Sequence, residues 1–546
     1  MYSPQLNGAK CSDCPLQGQI PTPPTLVNHP KLIIIGDFPG AYDAKVGVPF
    51  SASAGKKLDQ SLAKLGIPKK DCQINLAILC QPTKKLTPKE FKKALACCRP
   101  RLVKEVSVEP GSPNKVIAAL GQKALVATLD KAQVFQWMGG PSYAEDLQAI
   151  VVPSISPGMV LKSSEYGPVL SIHLERAWAI ARNVLKPWKW PEIVTCHTHN
   201  TEQLLEALAK LEKEEWLGVD IETSGLDYKS VIKDIGLTSR TLGISIQPWL
   251  VTDIRVLNAV KRILRSKRIK KALQNGQFDK FCLDYHGYFL SGIDFDTLIA
   301  HQVLAPRWPH KLGFQGCIEF HAPRWKAEFK AEGEELWESD SKGLERAIYN
   351  VKDAYITLLL RDRYVSRLAN GPRTQEQFET LMHELTIALK MRKRGVLVDE
   401  DKLAFHKSTL GTRLDNALDE IRRLAKRFNI ENFNPNPGSS DLNDLFHITL
   451  GIKPLAFSDL TGKPKYDATE LLRLSAHQNL IARTFAILIL EYRKVNKLKS
   501  TYVDNCPLDY DHAVRPTWYP GGAKTRRWSC GNPNLMNIPK MKVGNK

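Results

Sequence analysis

What this 546-residue sequence lacks narrows its function before any motif is read. No run of about 18 apolar residues occurs, so no helical membrane span is expected. Met1 to Lys10 has neither the charged nor the apolar region of a secretory signal. The 11 cysteines, six of them before residue 100, are therefore read as a metal site, a cluster site or free thiols rather than disulfides. Internal repeats and low-complexity tracts are absent, which argues against a solenoid or a disordered tail. The glycine and lysine spacing between Gly36 and Lys57 does not make a phosphate-binding P-loop. Negative charge is also short: 57 acidic residues face 77 Lys and Arg, a net charge of +20. With a pI near 9.3, this favours a polyanionic partner, nucleic acid first. The length exceeds one core and predicts about three or four domains.

Among what is present, Gly218-Val-Asp220-Ile-Glu222-Thr223 organises the rest. It reads as a buried strand. Side chains at i and i+2 share a face, so Asp220 and Glu222 point the same way, about 7 Å apart. Two unpaired carboxylates on one face repel and resist desolvation. A hard divalent cation such as Mg²⁺ removes that cost; two solvated acids at a strand end are the alternative. Leu242–Ile246 is expected to be the neighbouring strand, and the basic run from Lys261 to Lys271 a helix. Asp279 opens another helix after Asn275-Gly-Gln-Phe278. Tyr349 and Asp353, at i and i+4, share one helical face.

Toward the N-terminus, Cys11-x2-Cys14 sits on a short loop, and Cys80 follows the apolar run Ile74–Leu79. Cys97 and Cys98 end a predicted helix over Pro88–Ala96. Four cysteines from these three places suit a cluster or a zinc ion, with reduced thiols as the alternative. Leu32–Gly36 is a buried strand running into a Gly-Pro turn that carries Asp37. Lys186–Pro191 reads as a linker. Farther on, Leu480–Lys499 is helical and basic.

Three resemblances follow from these residues. The order C-x2-C, strand-GDFPG, GVPF, Cys80-Gln-Pro and Cys98-Arg-Pro, covering roughly residues 8–185, resembles the family 4 uracil-DNA glycosylases. That resemblance implies a [4Fe–4S] cluster on Cys11, Cys14, Cys80 and Cys98, with Cys97 spare. It implies a base pocket at Asp37, Phe50, Asn75 and Ser156. There are departures: Asp37 stands for the usual Glu, Phe38 for a small residue, and Asn75 lies five rather than four residues before Cys80. Ser156-Pro157-Gly158 also lacks the family's histidine. A glycosylase fold kept for DNA binding or domain contacts is therefore expected over an active one.

The strand D-x-E, the N-x3-D segment and Tyr349-x3-Asp353 resemble the DEDD 3′→5′ exonucleases, in the variant with Tyr. The resemblance implies Asp220, Glu222, Asp279 and Asp353 as ligands of two Mg²⁺ or Mn²⁺ ions, with Tyr349 orienting the attacking water. Glu491-Tyr-Arg-x3-Lys497-Leu-Lys499-Ser-Thr-Tyr502 and Thr525-x-Arg527-x-Ser529-x2-Asn-Pro-Asn534-Leu-x-Asn-Ile-Pro539 resemble the thumb and palm start of family A polymerases. DNA contacts at Lys497, Lys499, Arg527 and Asn534 are implied.

The expected fold is multidomain α/β. It comprises a three-layer glycosylase-like domain (1–190), a ribonuclease H-like mixed-sheet exonuclease domain (191–370) and a mainly helical polymerase segment (371–546). The expected function is DNA replication with 3′→5′ proofreading on single-stranded 3′ ends and primer-template, in the cytoplasm (the host cell's if the protein is viral, an arrangement that resembles one found in some bacteriophages). The palm aspartates and fingers helix of family A enzymes are not among these residues. No polymerisation by this polypeptide alone is expected, and a second polypeptide is a candidate source of palm and fingers. The rivals are a non-catalytic DNA-binding subunit of a split polymerase and a uracil-repair glycosylase.

Overall fold

The computed structural model describes residues 3–83, 86–106, 115–186, 188–326, 342–454, 456–457, 464–523 and 525–538. Pro187 of the expected linker and Pro539 of the palm motif lie outside them. The chain divides into two compact units, Met1–His383 and Glu384–Lys546.

The first unit contains two sheets. The N-terminal one has five strands in the order β2-β1-β3-β5-β4: β1 Leu32–Gly36, β2 Cys72–Leu76, β3 Val116–Leu120, β4 Ser142–Ala144 and β5 Ala149–Ser154. Only the edge pair β4–β5 is antiparallel. β1, β2 and β3 are buried along their whole length, as expected for a parallel sheet covered on both faces. One face packs Leu32, Ile34 and Leu120 beneath the helices Ser53–Lys64 and Gly167–Ala181. The other packs Ile33, Ile35 and Ile117 beneath Pro88–Val106. That last helix runs well past the expected end at Ala96, because Pro100 lacks only one amide donor and Leu102 and Val106 continue the buried stripe. Cys97 and Cys98 therefore sit in mid-helix.

The second sheet has six strands in the order β11-β10-β7-β8-β9-β6: β6 Glu192–Thr195, β7 Trp216–Thr223, β8 Ile232–Thr238, β9 Leu242–Ile246, β10 Lys270–Leu273 and β11 Phe295–Asp296. β8 is antiparallel to both neighbours and the other pairs are parallel, which makes the sheet mixed. Two expectations are corrected here. Leu242–Ile246 is one strand removed from β7, because β8 pairs between them. Its polar Lys233 and Asp234 hide the strand pattern, yet Asp234 is fully buried. The basic helix ends at Arg265, and Lys270–Leu273 is a strand beside β7. Lys271 is buried there, with its ammonium donating to the Ser266 carbonyl and to Ser291 Oγ.

The helix Gly343–Ala369 lies across β7, β8 and β9. A Cβ at Gly218 would run into the Ala354 carbonyl, and one at Gly236 into the Asn350 side chain, so these glycines permit the close approach. The residues flanking the expected linker do not hang free. Trp188 and Trp190 pack edge-on to each other, Trp188 also against Phe320 and Tyr355, and Trp190 against Trp325.

The second unit is mainly helical. Glu400–Lys426 and Leu480–Leu498 bury Ile421, Phe433, Phe446, Phe485 and Ile489 in one core. Ser439 caps the short helix Ser440–Asn443 by accepting from the Asp441 amide. Two small ladders, β12 Val396–Leu397 with β13 Ala513–Val514 and β14 Thr517–Tyr519 with β15 Ser529–Gly531, complete it. No helix among the described residues is long and apolar enough to cross a membrane.

Candidate active site

The pleat of β7 decides where its acids go. Leu217, Val219 and Ile221 enter the hydrophobic core. Gly218, Asp220 and Glu222 therefore face the helix Gly343–Ala369. The two elements keep step. Two strand residues span about 6.6 Å and four helical residues about 6 Å, so contacts recur at matched intervals. Ala354 lies over Gly218, and Asn350 Nδ2 donates to Asp220 Oδ2 at 3.0 Å. Arg346 pairs with the buried Asp234, which stands opposite Glu222 in the β7–β8 register. Asp353 and Tyr349 thus project from one helical face toward the strand acids.

One carboxylate oxygen each from Asp220, Glu222 and Asp353 lies within 4.8 Å of the others. Asp279, in the first turn of the helix Gln277–Tyr285, accepts from the Ile221 amide at 3.2 Å. That amide is available because β10 pairs with β7 only as far as Gly218. Burial, then Asp353, Glu222 and Asp279, holds the Asp220 carboxyl well above its ordinary range. Burial and Asp353 do the same to Glu222, and burial foremost pushes Asp279 up to about 7. A site that raises several carboxyls together is one that a divalent cation would relieve, and an all-oxygen donor set suits Mg²⁺ or Mn²⁺.

Three residues absent from the sequence reading, Trp325, Lys326 and Asn350, belong to this site. Trp325 Nε1 donates to Asp353 Oδ1 at 2.5 Å. Lys326 Nζ donates to Tyr349 Oη at 2.8 Å and also pairs with Asp353 Oδ2. Nothing in Pro323-Arg-Trp-Lys326 carries a periodic signal that would have found them. Asn350 was findable, since it sits inside the Tyr349–Asp353 motif. Asn275 takes a left-handed turn at φ 58° and donates its amide to Asp296, which also caps the helix Thr297–Leu304. Phe278 packs at the edge of the core.

In the N-terminal domain, Cys11, Cys14, Cys80, Cys97 and Cys98 line one cavity of about 510 Å³. Burial, then neighbouring cysteines, raises the thiols of Cys11 and Cys80, the latter to about 12. The Leu16 amide donates to Cys14 Sγ at 3.4 Å. Crowded thiols that resist ionisation without a cation, in a cavity of this size, fit an iron–sulfur cluster or zinc by donor chemistry.

The expected base pocket does not assemble around Asn75. Its Oδ1 accepts from Arg101 at 2.6 Å and its Nδ2 donates to Glu105 at 3.0 Å, on the face of the sheet under the helix Pro88–Val106. Leu76, the next residue, faces the other way and meets Gly36 beside the Phe50 ring. The extra residue before Cys80 thus puts leucine where the resemblance wants asparagine, because a shift of one flips a strand side chain to the opposite face. Asp37 is spent structurally. Its Oδ1 accepts from the Lys123 and Ala124 amides at 2.6 and 2.9 Å, capping the helix Gln122–Leu129 from a distance. Ser156 caps the helix Pro157–Lys162 through the Met159 amide.

Of the residues expected to contact DNA, Lys497 and Arg527 are exposed. Lys499 pairs with Asp504, and Asn534 precedes a 3-10 turn at Leu535–Asn537.

Comparisons with known proteins match three stretches of the chain. Residues 23–179 match the model of the uracil DNA glycosylase superfamily, residues 196–368 that of the 3′-5′ exonuclease domain, and residues 400–546 that of DNA polymerase family A. The chain is 30% identical over 292 residues to DNA polymerase I of Synechocystis sp., covering 51% of this chain and 28% of that protein. It is 28% identical over 292 residues to DNA polymerase I of Chloroflexus aurantiacus, covering 52% of this chain and 30% of that protein. It is 27% identical over 189 residues to the type-4 uracil-DNA glycosylase of Thermotoga maritima, covering 31% of this chain and 88% of that protein. The chain therefore spans under a third of the length of the two polymerases. It joins a uracil-DNA glycosylase-like domain and a 3′-5′ exonuclease domain to a family A DNA polymerase segment.

Proposed function

We infer that this chain serves DNA replication in the cytoplasm as a proofreading polypeptide. Its central domain removes nucleotides from the 3′ ends of DNA, and its C-terminal segment grips primer-template. The observation that carries this reading is the convergence of Asp220, Glu222 and Asp353 within 4.8 Å of one another, with Asp279 and Tyr349 alongside. Asp220, Glu222, Asp279 and Asp353 would hold two Mg²⁺ or Mn²⁺ ions, which when bound activate water and relieve charge on the leaving oxygen. Tyr349 then orients the water. The new P–O bond forms as the P–O3′ bond breaks, the water's proton leaves to solvent, and the freed 3′ oxygen takes one up.

Asp220→Ala combined with Glu222→Ala should abolish Mg²⁺-dependent digestion of single-stranded DNA. Undiminished digestion by that double variant would sink the reading.

Cys11, Cys14, Cys80 and Cys98 hold a [4Fe–4S] cluster on this reading, with iron and sulfide content per chain as its check. Lys497, Lys499, Arg527 and Asn534 contact the DNA backbone. The glycosylase-like domain acts through domain contacts, a reading favoured by Leu76 at the pocket and by the arginines that join it to the exonuclease. Arg176 donates to the Gly139, Cys317 and Ile318 carbonyls, and Arg324 to those of Gly313 and Phe135.

A further inference from the structure

Asp220, Glu222, Asp279 and Asp353 bring four carboxylates to the exonuclease site, and Lys326 is a cation set among them. Its Nζ lies 2.8 Å from Tyr349 Oη, sits 4.8 Å above the Tyr349 ring centroid and pairs with Asp353 Oδ2. The other oxygen of Asp353 accepts from Trp325. Both oxygens of one acid of the cluster are thus engaged by consecutive residues. Those residues are not on a loose loop. Trp325 is buried against Trp190, and Arg324 is buried with its guanidinium on backbone carbonyls of both domains.

Two consequences follow from this geometry. An ammonium that occupies Asp353 competes with any cation seeking the same oxygen. An N–H donated into Tyr349 Oη also forces the phenol's own hydrogen to point away from the lysine, because a hydroxyl has one hydrogen and two acceptor sites.

We propose that Lys326 is a positioning residue of the exonuclease site: it neutralises Asp353 until a divalent ion takes that place, and it sets the direction of the Tyr349 hydroxyl. The proposal rests on the exonuclease reading above. Its partners are Asp353 and Tyr349 on the helix Gly343–Ala369, and the competing ligand is a divalent metal ion.

The test uses the full chain with Lys326→Met and Lys326→Arg. Mn²⁺ binding is followed without substrate, by the paramagnetic resonance signal of the free ion. Steady-state digestion of a single-stranded oligonucleotide is measured in parallel. Lys326→Met is expected to bind Mn²⁺ more tightly and to lose kcat by roughly 10–100-fold, the range typical of residues that orient a metal site's ligands. KM should stay near the wild-type value, and Lys326→Arg should recover most of kcat. Unchanged or weaker Mn²⁺ affinity in Lys326→Met overturns the counter-ion role, and unchanged kcat overturns the orienting role. If circular dichroism shows that Lys326→Met does not fold, Lys326→Gln removes the charge while keeping donors and takes the same two measurements. If the wild-type chain digests no DNA, the exonuclease reading fails, while the Mn²⁺ comparison still decides whether the lysine competes for the site.

Discussion

The glycosylase-like and exonuclease domains each carry acids at the end of a central strand, and the two sets of acids live differently. Asp37 follows β1 and is half-buried, and its Oδ1 accepts from two backbone amides. Asp220 and Glu222 end β7, where their neighbours include Asp353 and Asp279, and Asn350 and Lys326 supply only part of what the cluster needs. A carboxylate whose partners are the amides of one helix start is a structural part. A set of carboxylates that raise one another is held together for something else, since mutual repulsion would otherwise select it away.

Breaking this contrast should give effects of very different size. Removing Asp220 and Glu222 together should leave no measurable Mg²⁺-dependent nuclease, a loss of at least about 10³-fold for a metal-dependent hydrolysis. Asp37→Ala should leave the nuclease intact. It should instead lower stability toward denaturant by about 1–3 kcal/mol, because two buried amides lose their acceptor. Equal nuclease loss in both variants would erase the distinction.

A subtler test uses pH. In the folded chain burial pushes the Asp279 carboxyl up to about 7. In the unfolded chain it titrates at about 3.9. The raised folded value means that the native state holds the proton more tightly. Its stabilising contribution is therefore present below the unfolded value and lost as pH rises through about 7. In EDTA, the melting temperature of the wild-type chain should fall between pH 5 and pH 8 by more than that of Asp279→Asn, and Mg²⁺ should restore the wild type at pH 8. Parallel falls in the two proteins would show that Asp279 does not titrate as buried.

The smallest effect concerns the lost base pocket. Leu76→Asn with Ser156→His restores the two side chains in which the glycosylase resemblance departs most, yet Asp37 stays committed to its helix cap. We expect no uracil release from DNA by this double variant above the background of the wild type. Measurable release would mean that the domain is a dormant enzyme rather than a structural one.

The exonuclease acids were legible in the sequence because their chemistry and spacing are local. D-x-E needs only the two-residue period of a strand, and Tyr349-x3-Asp353 only the turn of a helix. The cysteine set was legible for a different reason: a C-x2-C pair with further cysteines beyond it suits a metal or cluster by residue type alone. Other features were not legible. β8 hides its strand behind Lys233 and Asp234, and the burial of Asp234 is made tolerable by Arg346 more than a hundred residues away. Asn75 looked like a pocket residue because it matched a residue type. Its face depended on a count that differs by one before Cys80, and its partners, Arg101 and Glu105, lie on a helix that the sequence ended too early.

By itself, then, the sequence pointed to three modules and their order, and to local pairs within them: Asp220 with Glu222, Tyr349 with Asp353, and Cys11 with Cys14, since each depends on residue type at short spacing. The tertiary structure decided which face of β2 looks into the pocket, that Asp37 is a cap, and that Lys326 stands between Tyr349 and Asp353. Those are matters of sheet face and of contact between distant segments. The free energy of burying a charge is set by whatever distant partner the fold brings to it, and no local pattern encodes that partner.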